Sequence, residues 1–421
     1  MPFKSFPKMM NFDGYFVSLL HFSAPAGKVD TQIEEDRAGM IEPTATGEKL
    51  APFIKWAGGK EQELKHILPL VPPFEHYYEP FVGGGAVFFS VQARRAFVND
   101  RSPELVNLYR VIARQDDDFF LALDTLVKGW QAISQLVDAH TADLLALYQS
   151  YALKKGSAHD TEPLLLAFIK RHRVAFDGLF DDFLPQERHH FLRELERNLT
   201  SKTRRMKMLE QQKGYLPRID IVANLESALK SAFYMHLRYL YNHAPELALS
   251  PGRAAAVFFF VRENAYASMF RYNQRGEFNV PYGGISYNRK DVARKIALMR
   301  SPDLYLHLQN AVIELMDFEQ FLLQYPPEED DFIFLDPPYD SEFSTYAQNT
   351  FDMRDQQRLA RYLLQNCRAQ FMLVIKRTQA ICDFYQQPGI SIKSFDKKYM
   401  VSFQDRNNRE AEHLIITNYP V

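Results

Sequence analysis

Cysteine is scarce in this chain, which has 421 residues and only Cys367 and Cys382. Two isolated cysteines offer neither the paired spacing of a zinc site nor a disulfide framework. We therefore expect no metal centre. The scarcity also suits a reducing compartment, so we predict a cytoplasmic protein.

Long apolar runs and an excess of charge are also absent. No segment approaches the ~20 apolar residues of a membrane span. The apolar stretch at residues 15–20 is flanked too closely by Asp13 and His21 to indicate a secretory signal. The formal net charge is only −2, so any nucleic acid has to be bound by a local basic face rather than by a global field.

The sequence has an ordinary globular balance, with 46% hydrophobic and 24% charged residues. Its length predicts two or three domains. Residues 1–52 show no sustained periodicity and predict a flexible N-terminal extension.

The four residues Asp336-Pro337-Pro338-Tyr339 are the most informative motif. They follow the apolar run 332–335, which predicts a buried strand. The prolines end this strand, because they cannot continue a hydrogen-bonded ladder. We therefore expect a carboxylate, a rigid carbonyl and an aromatic ring at the carboxyl edge of a sheet, where open α/β sheets bind ligands.

A glycine-rich turn is the second motif. Residues 77–89 predict a strand, a turn at 83–85 and a helix, and glycines there let a ligand approach the backbone. The spacing differs from the dinucleotide-binding fingerprint. A further short strand ends at Asp100, whose carboxylate is placed to bind ribose hydroxyls. An ordinary helix cap is the alternative interpretation of Asp100.

The sequence at residues 58–60, Gly-Gly-Lys, is not a phosphate loop. Glu61 follows the lysine, where that motif requires Ser or Thr. A turn before a helix that contains Leu64 and Ile67 is the simplest interpretation of these residues taken alone.

Four motifs, in this order along the chain, resemble those of the Dam-type family of DNA adenine N(6)-methyltransferases. They are Lys-Trp-Ala-Gly-Gly-Lys (55–60), Glu-Pro-Phe-Val-Gly-Gly-Gly (79–85), Asn99-Asp100 and the 336–339 motif. The resemblance covers residues 53–112 and 260–421. It implies an α/β fold of the Rossmann-like class I methyltransferase type, which has a mixed sheet with helices on both faces. It also implies an inserted, mainly helical recognition domain with a β-hairpin.

The domains that follow are a catalytic, cofactor-binding domain at 53–112 and 301–421 and a DNA-recognition domain at 113–300, with its hairpin at 264–284. The implied cofactor is S-adenosyl-L-methionine. The resemblance assigns the following residues to it: Trp56, Lys60, Glu79, Phe81, Gly83, Gly85, Asp100 and Asp336. At Gly84, relatives often carry alanine or another small residue.

The implied catalytic residues are Asp336, Pro337 and Tyr339. Asp336 and the Pro337 carbonyl would accept hydrogen bonds from the amine of an extruded adenine, and Tyr339 would stack on the base.

Residues 112–260 have a helical pattern with basic clusters at 170–173 and 202–207, interleaved with acids. A solvated helical surface is one interpretation. Contacts with DNA phosphates, which position a protein without specifying sequence, are the other.

Residues 262–284 are rich in Asn, Arg, Gly and aromatic residues, and 274–276 predict a hairpin tip. A two-stranded ribbon fits the major groove. By the resemblance, Arg271 reads a guanine, whereas Met269 and Pro281 touch a thymine methyl group. The implied DNA contacts are Lys55, Met269, Arg271, Asn273, Asn279 and Pro281. A purely structural surface hairpin is the alternative.

The sequence thus predicts a site-specific adenine methyltransferase that acts on double-stranded DNA as a monomer, with or without a cognate restriction nuclease. GATC is one candidate target, although Gly284 stands where Dam itself has an arginine. One alternative is a catalytically silent DNA-binding or regulatory module of the same fold. The other is a methyltransferase that acts on another amine, such as that of cytosine, RNA or a protein amide.

Overall fold

The computed structural model describes residues 50–153, 162–180, 183, 187–338, 351–398 and 410–421. All of them belong to one compact unit, Thr44–Val421. The predicted extension up to residue 49 and the catalytic candidate Tyr339 lie outside the described residues. No helix in the described ranges is long and apolar enough to span a bilayer.

The described strands form one mixed sheet. They are β1 His76–Glu79, β2 Arg95–Asn99, β3 Ala311–Glu314, β4 Phe332–Leu335, β5 Gln370–Lys376, β6 Ser391–Lys398 and β7 Glu410–Thr417. Their order is β3-β2-β1-β4-β5-β7-β6. Strand β7 runs antiparallel to both of its neighbours, and the other pairs are parallel. The carboxyl ends of β1 to β5 therefore meet at one edge, and the predicted α/β fold class is confirmed.

Strand β4 is central because both of its faces are covered. Phe332 and Phe334 enter one apolar cluster, whereas Ile333 and Leu335 enter the other. Alternate side chains of a strand point to opposite faces, so a continuous apolar run is what a buried parallel strand requires.

The helices divide between these two faces and an insertion between β2 and β3. They are α1 Leu64–Ile67, α2 Pro103–Ala113, α3 Asp117–Ala139, α4 Thr141–Leu153, α5 Glu162–Arg171, α6 Arg173–Asp177, α7 Arg188–Lys213, α8 Arg218–Asn242, α9 Pro251–Asn264, α10 Ala293–Met299, α11 Pro302–Gln309, α12 Phe318–Gln324, α13 Met353–Arg361 and α14 Gln379–Tyr385. Local sequence explains several starts. Ser102, Ser250 and Ser301 each cap a helix whose first turn contains a proline.

The predicted helix after the glycine turn is wrong. Only a single 3₁₀ turn, Phe88–Ser90, follows the glycines before β2 begins. The residues from Ala86 to Phe89 are all buried. They have no polar face to present to solvent, so they fill the core instead of forming an amphipathic helix.

The predicted hairpin is present between α9 and α10. Antiparallel bridges join Ala265 to Tyr282 and Tyr272 to Phe278. At the tip, the Gly276 amide donates to the carbonyl of Asn273 at 3.0 Å. The boundary between a catalytic and a recognition domain stays a prediction, because the described residues form one compact unit.

Candidate active site at the carboxyl edge of the sheet

A cavity of about 230 Å³ lies at the carboxyl ends of β1, β2 and β4. Each predicted cofactor residue lines it, as does Pro337. These residues are Trp56, Lys60, Glu79, Phe81, Gly83, Gly85, Asp100 and Asp336. Segments that are distant in the chain thus converge on one concave site, which is the usual form of a small-molecule pocket.

Asp100 is held against the glycine turn. Its carboxylate accepts hydrogen bonds from the amide of Gly83 at 3.0 Å and from the amide of Ser102 at 2.9 Å. Ser102, not Asp100, caps α2. Burial raises the pKa of the Asp100 carboxyl, and the amide hydrogen bonds counteract that effect.

The shape of the turn depends on glycine at residue 85. Its φ is +71°, and a Cβ atom there would lie 2.5 Å from the hydroxyl of Tyr109. Tyr109 donates that hydroxyl to the carbonyl of Gly83 at 3.1 Å. This tyrosine of α2 therefore holds the backbone of the glycine turn by a hydrogen bond, a role that no sequence pattern indicated.

Two acids and one lysine form the charged part of the cavity. Lys60 makes an ion pair with Asp336 and also donates to the carbonyl of Gly58 at 3.0 Å. Glu79 accepts a hydrogen bond of 2.6 Å from Tyr77. Burial raises the pKa of Glu79 well above its usual value, and the charge of Asp336 raises it further, while Tyr77 and Lys60 oppose this shift. The arrangement favours a neutral Glu79 beside an ion-paired Asp336.

Helix α13, which packs in the same apolar cluster as Ile333 and Leu335 of β4, holds the residues after that strand. The buried Gln356 of α13 donates its side-chain amide to the carbonyl of Pro338 at 3.1 Å. Asp336 is 19% exposed, so its carboxylate faces the cavity, whereas Pro337 is buried.

The hairpin contributes Phe270 to the cavity wall. Its ring contacts the indole of Trp56 edge-on, with 4.6 Å between the ring centroids. Arg262 of α9 places its guanidinium carbon 3.3 Å from the centroid of the Phe270 ring. Arg262 also donates to the carbonyls of Met269 at 2.7 Å and Ser268 at 3.0 Å. The cofactor candidates and the DNA-contact candidates are therefore adjacent.

The predicted DNA contacts lie on and near this hairpin. Arg271 is exposed and donates to the side chain of Asn279 at 2.8 Å and to its carbonyl at 3.1 Å. Pro281 is exposed and Met269 is half-buried. Lys55 is exposed and precedes Trp56 in the chain, away from the hairpin in sequence. Asn273 stabilises the hairpin tip, because its side-chain oxygen accepts hydrogen bonds from the backbone amides of residues 275 and 277.

The second strand of the hairpin, from Phe278 to Val280, is bound to α8. Asn242 exchanges two hydrogen bonds with the backbone of Phe278, at 3.0 and 2.8 Å. Tyr234 donates to the Val280 carbonyl at 2.9 Å. No sequence pattern distinguishes Asn242 or Tyr234, because both lie within an ordinary helical stretch. Phe270 and Arg262 were detectable only as members of the unusual 262–284 stretch.

The fold and this site are those of an α/β methyltransferase. The chain matches the family of D12 class N6 adenine-specific DNA methyltransferases over residues 56–179 and 208–401, and it belongs to that family. It is therefore an adenine-specific DNA methyltransferase, as the motifs predicted, and the proteins of this family act on DNA.

Individual relatives are distant. A type II methyltransferase, M1.LlaDCHI of Lactococcus lactis subsp. cremoris, is 25% identical over 316 residues, which are 74% of this chain and 75% of the relative. The type II methyltransferase M.CviBI of Paramecium bursaria Chlorella virus NC1A is 24% identical over 88% of this chain and its own full length. The DNA adenine methylase of Escherichia coli strain K12 is 28% identical over 127 residues, which are 30% of this chain and 42% of that protein.

Proposed function

We propose that this protein transfers a methyl group from S-adenosyl-L-methionine to the exocyclic amine of an adenine that is extruded from duplex DNA. The observation that carries the proposal is the position of Asp336. It stands at the carboxyl end of β4, in the same cavity as the glycine turn and Asp100.

The cavity residues fit a nucleoside cofactor. Both Asp100 oxygens accept backbone amides, and a carboxylate has about four lone-pair sites, so capacity remains for a ribose hydroxyl. The indole of Trp56 packs against Gly83, where a Cβ atom would lie 2.8 Å from the Trp56 Cδ1 atom and would displace the ring. When bound, S-adenosylmethionine supplies an electrophilic sulfonium methyl group. A cavity volume near 230 Å³ is close to the lower end of the range for ligand pockets, ~300–1,000 Å³.

Asp336 acts on the target amine. The lone pair of an adenine amine is delocalised into the ring, so the amine is a poor nucleophile. The carboxylate of Asp336 and the carbonyl of Pro337 accept hydrogen bonds from the two amine hydrogens and localise the lone pair on nitrogen. As this nitrogen takes up the methyl group, the electron pair of the broken carbon–sulfur bond would stay on sulfur, and the surplus proton on nitrogen would leave through the hydrogen bond to Asp336. The positive charge that develops lies beside a carboxylate in a partly desolvated site, which is electrostatic stabilisation by a preorganised group.

Lys60 keeps the carboxylate of Asp336 in position before the substrate binds. Its ion pair holds Asp336 in the cavity, and the entering amine takes the place of the ammonium as hydrogen-bond donor. Burial raises the pKa of Glu79, which disfavours a second negative charge beside Asp336. Tyr339 stacks on the extruded base, which contributes about 1–3 kcal/mol.

We propose GATC or a related sequence as the target, with Arg271 and its hairpin in the major groove. Lys55, Met269, Asn273, Asn279 and Pro281 would make the remaining contacts. A monomer suffices for this reaction. A cognate restriction nuclease is proposed because two of the relatives are named type II methyltransferases.

The proposal is tested by Asp336→Ala and Asp336→Asn in a methyl-transfer assay. Both variants should bind DNA and cofactor but transfer almost no methyl groups. Near-normal turnover by either would falsify the role of Asp336. Binding of S-adenosylmethionine by calorimetry separates an enzyme from a silent module, which need not bind it. Single-molecule sequencing of methylated DNA identifies the modified base and the site, so methylated cytosine would refute the adenine assignment.

A further inference from the structure

Helix α7 has a charge unlike that of the whole chain. Residues 188–213 include eight lysines and arginines but only three glutamates, whereas the full chain has a formal net charge of −2. Two of these glutamates are engaged inside the fold. Glu194 is buried and bonded to Asn198, and Glu210 accepts from Tyr148 and from the Leu216 amide.

Half of the eight basic side chains of α7 lie together on one exposed face. Four arginines are exposed and line a shallow groove of about 600 Å³ together with Glu196, Thr200, Ser201 and Met208. They are Arg193, Arg197, Arg204 and Arg205. Only Arg197 among them has a described ion pair, with Glu194 at 3.4 Å, and its side chain is nevertheless 74% exposed. Twelve residues of helix separate the first from the last, which is about 18 Å.

A neighbouring groove extends the same face. It has a volume of about 300 Å³ and is lined by Lys170, Arg173, His189 and Arg193, with Glu196 as its acid. We call the face formed by Arg193, Arg197, Arg204 and Arg205 the α7 arginine face. Positive charge therefore exceeds negative charge over a concave surface rather than at one point, and such a surface attracts polyanions.

Helix α8 connects α7 to the recognition hairpin. Arg238 of α8 donates to the carbonyl of Val280 in the hairpin at 3.1 Å. Burial lowers the pKa of Arg238; Tyr234 and Glu194 oppose this shift, whereas the charges of Arg197 and Arg271 add to it. Arg197 and Arg271 thus lie within electrostatic range of one side chain.

Helix α7 also lies largely outside the family pattern. The family model matches residues 56–179 and 208–401 and leaves out 180–207, which hold all four arginines of the face. Helix α7 packs on α8, whose Asn242 binds the hairpin backbone at 2.8 and 3.0 Å. The insertion is therefore attached to the recognition element through one helix.

We propose that the α7 arginine face binds the phosphate backbone of duplex DNA that flanks the target site. It lengthens the footprint on DNA beyond the base pairs that the hairpin reaches. The inference rests on the proposed function, since it takes the hairpin to face DNA. At 3.4 Å per phosphate along one strand, the ~18 Å from Arg193 to Arg205 spans roughly five base pairs.

The test is the salt dependence of binding to duplex DNA that carries, at its centre, the methylation site identified by sequencing. The full-length protein and a variant with Arg193, Arg197, Arg204 and Arg205 all replaced by glutamine are titrated onto a 40-bp and a 12-bp duplex at several salt concentrations. The slope of log affinity against log salt should become shallower by about 0.9 for each phosphate contact that is lost. The effect should appear on the 40-bp duplex and be much smaller on the 12-bp duplex.

Two controls keep the result interpretable. Arg94→Gln removes an exposed arginine that precedes β2, at the edge of the sheet opposite the cavity, and should leave the slope unchanged. The fourfold lysine variant preserves charge and should keep a slope near that of the unmodified protein. Equal thermal melting of the glutamine and lysine variants shows that the fold is retained.

An unchanged slope for the glutamine variant on the 40-bp duplex overturns the proposal, and so does an equal loss on both duplexes. A loss of affinity for duplex RNA alone would also overturn it. Methyl transfer and cofactor binding by the unmodified protein report on the proposed function separately. If those activities are present and the slope is unchanged, only the role of the α7 arginine face is refuted.

Discussion

Lys60 and Asp336 form an ion pair inside the cavity, although 276 positions separate them in the chain. Lys60 is 3% exposed and Asp336 is 19% exposed. The pair connects the loop before α1 to the end of β4. It therefore joins the two segments on which the proposed chemistry depends.

The pair should be worth more to folding than a surface salt bridge. Removing one partner of a buried ion pair costs about 3–5 kcal/mol, and the partial exposure of Asp336 reduces our expectation for Lys60→Met to about 2 kcal/mol. Adding Asp336→Asn to that variant should restore much of the loss, because no unpaired carboxylate remains. Urea unfolding of the two single variants and the double variant measures the coupling. Purely additive losses would show that the pair is not coupled.

Glu79 should make stability depend on pH in a direction set by its burial. Its pKa in the folded protein is raised above the unfolded value near 4.5, so the stabilising proton is present below that pH and its contribution is lost as pH rises. Each pH unit above 4.5 removes up to about 1.4 kcal/mol until the folded pKa is reached. Glu79→Gln keeps an acceptor for Tyr77 and lacks this titration. Its melting temperature should exceed that of the unmodified protein at pH 8, and the difference should shrink at pH 5.

Alanine substitutions at Gly84 and Gly85 test the glycine turn, and the first is the control for the second. Alanine at residue 85 would need a φ of +71° and would overlap the hydroxyl of Tyr109 and the ring of Phe89. We expect Gly85→Ala to lose more than about 2 kcal/mol of stability, together with cofactor binding. At residue 84, a Cβ atom would be 3.3 Å from that of Trp56, which a small shift relieves. Gly84→Ala should therefore change stability by less than about 1 kcal/mol. Comparable losses in denaturant unfolding would contradict this account of the turn.

Replacing Arg262 should weaken the binding of both the cofactor and DNA. Arg262→Met leaves the carbonyls of Ser268 and Met269 without their donor, which costs about 1–3 kcal/mol, and removes the cation from the face of Phe270. Because Phe270 lines the cavity and precedes Arg271, we expect the KM values for cofactor and for DNA both to rise. Arg289→Met, which removes an exposed arginine that pairs with Asp138, is the control. A loss of stability with both KM values unchanged would make Arg262 purely structural.

Much of the site could be predicted because it follows strand ends. The apolar run before Asp336 and the short strand before Asp100 each predict a strand, and parallel strands bring their carboxyl ends together. The order of the motifs then identified the family. The hairpin was detectable because glycine, asparagine and aromatic residues replace helical periodicity.

Side-chain roles inside the helices could not be predicted in the same way. Arg262 stands in an apolar helix where an arginine is usually interpreted as a surface residue, yet it is 2% exposed. Phe270 resembles any hairpin aromatic until its distance to Trp56 is known. Strand β6 was not predicted, because its charged residues alternate with few apolar ones at the edge of the sheet. Such facts depend on which distant segments become neighbours, and a local pattern does not contain that information.

The pairing of β1 with β4 has a consequence for how the protein becomes active. Tyr77 lies opposite Phe332, and His76 binds the carboxylate of Asp331 across 255 positions of the chain at 2.9 Å. During synthesis, the whole helical insertion leaves the ribosome before β4 exists. The cavity therefore closes late, after a long-range pairing that loop-closure entropy makes slow. Nascent chains that end before residue 332 should expose the edge of β1 and depend on chaperones, because an unpaired strand edge is prone to aggregation.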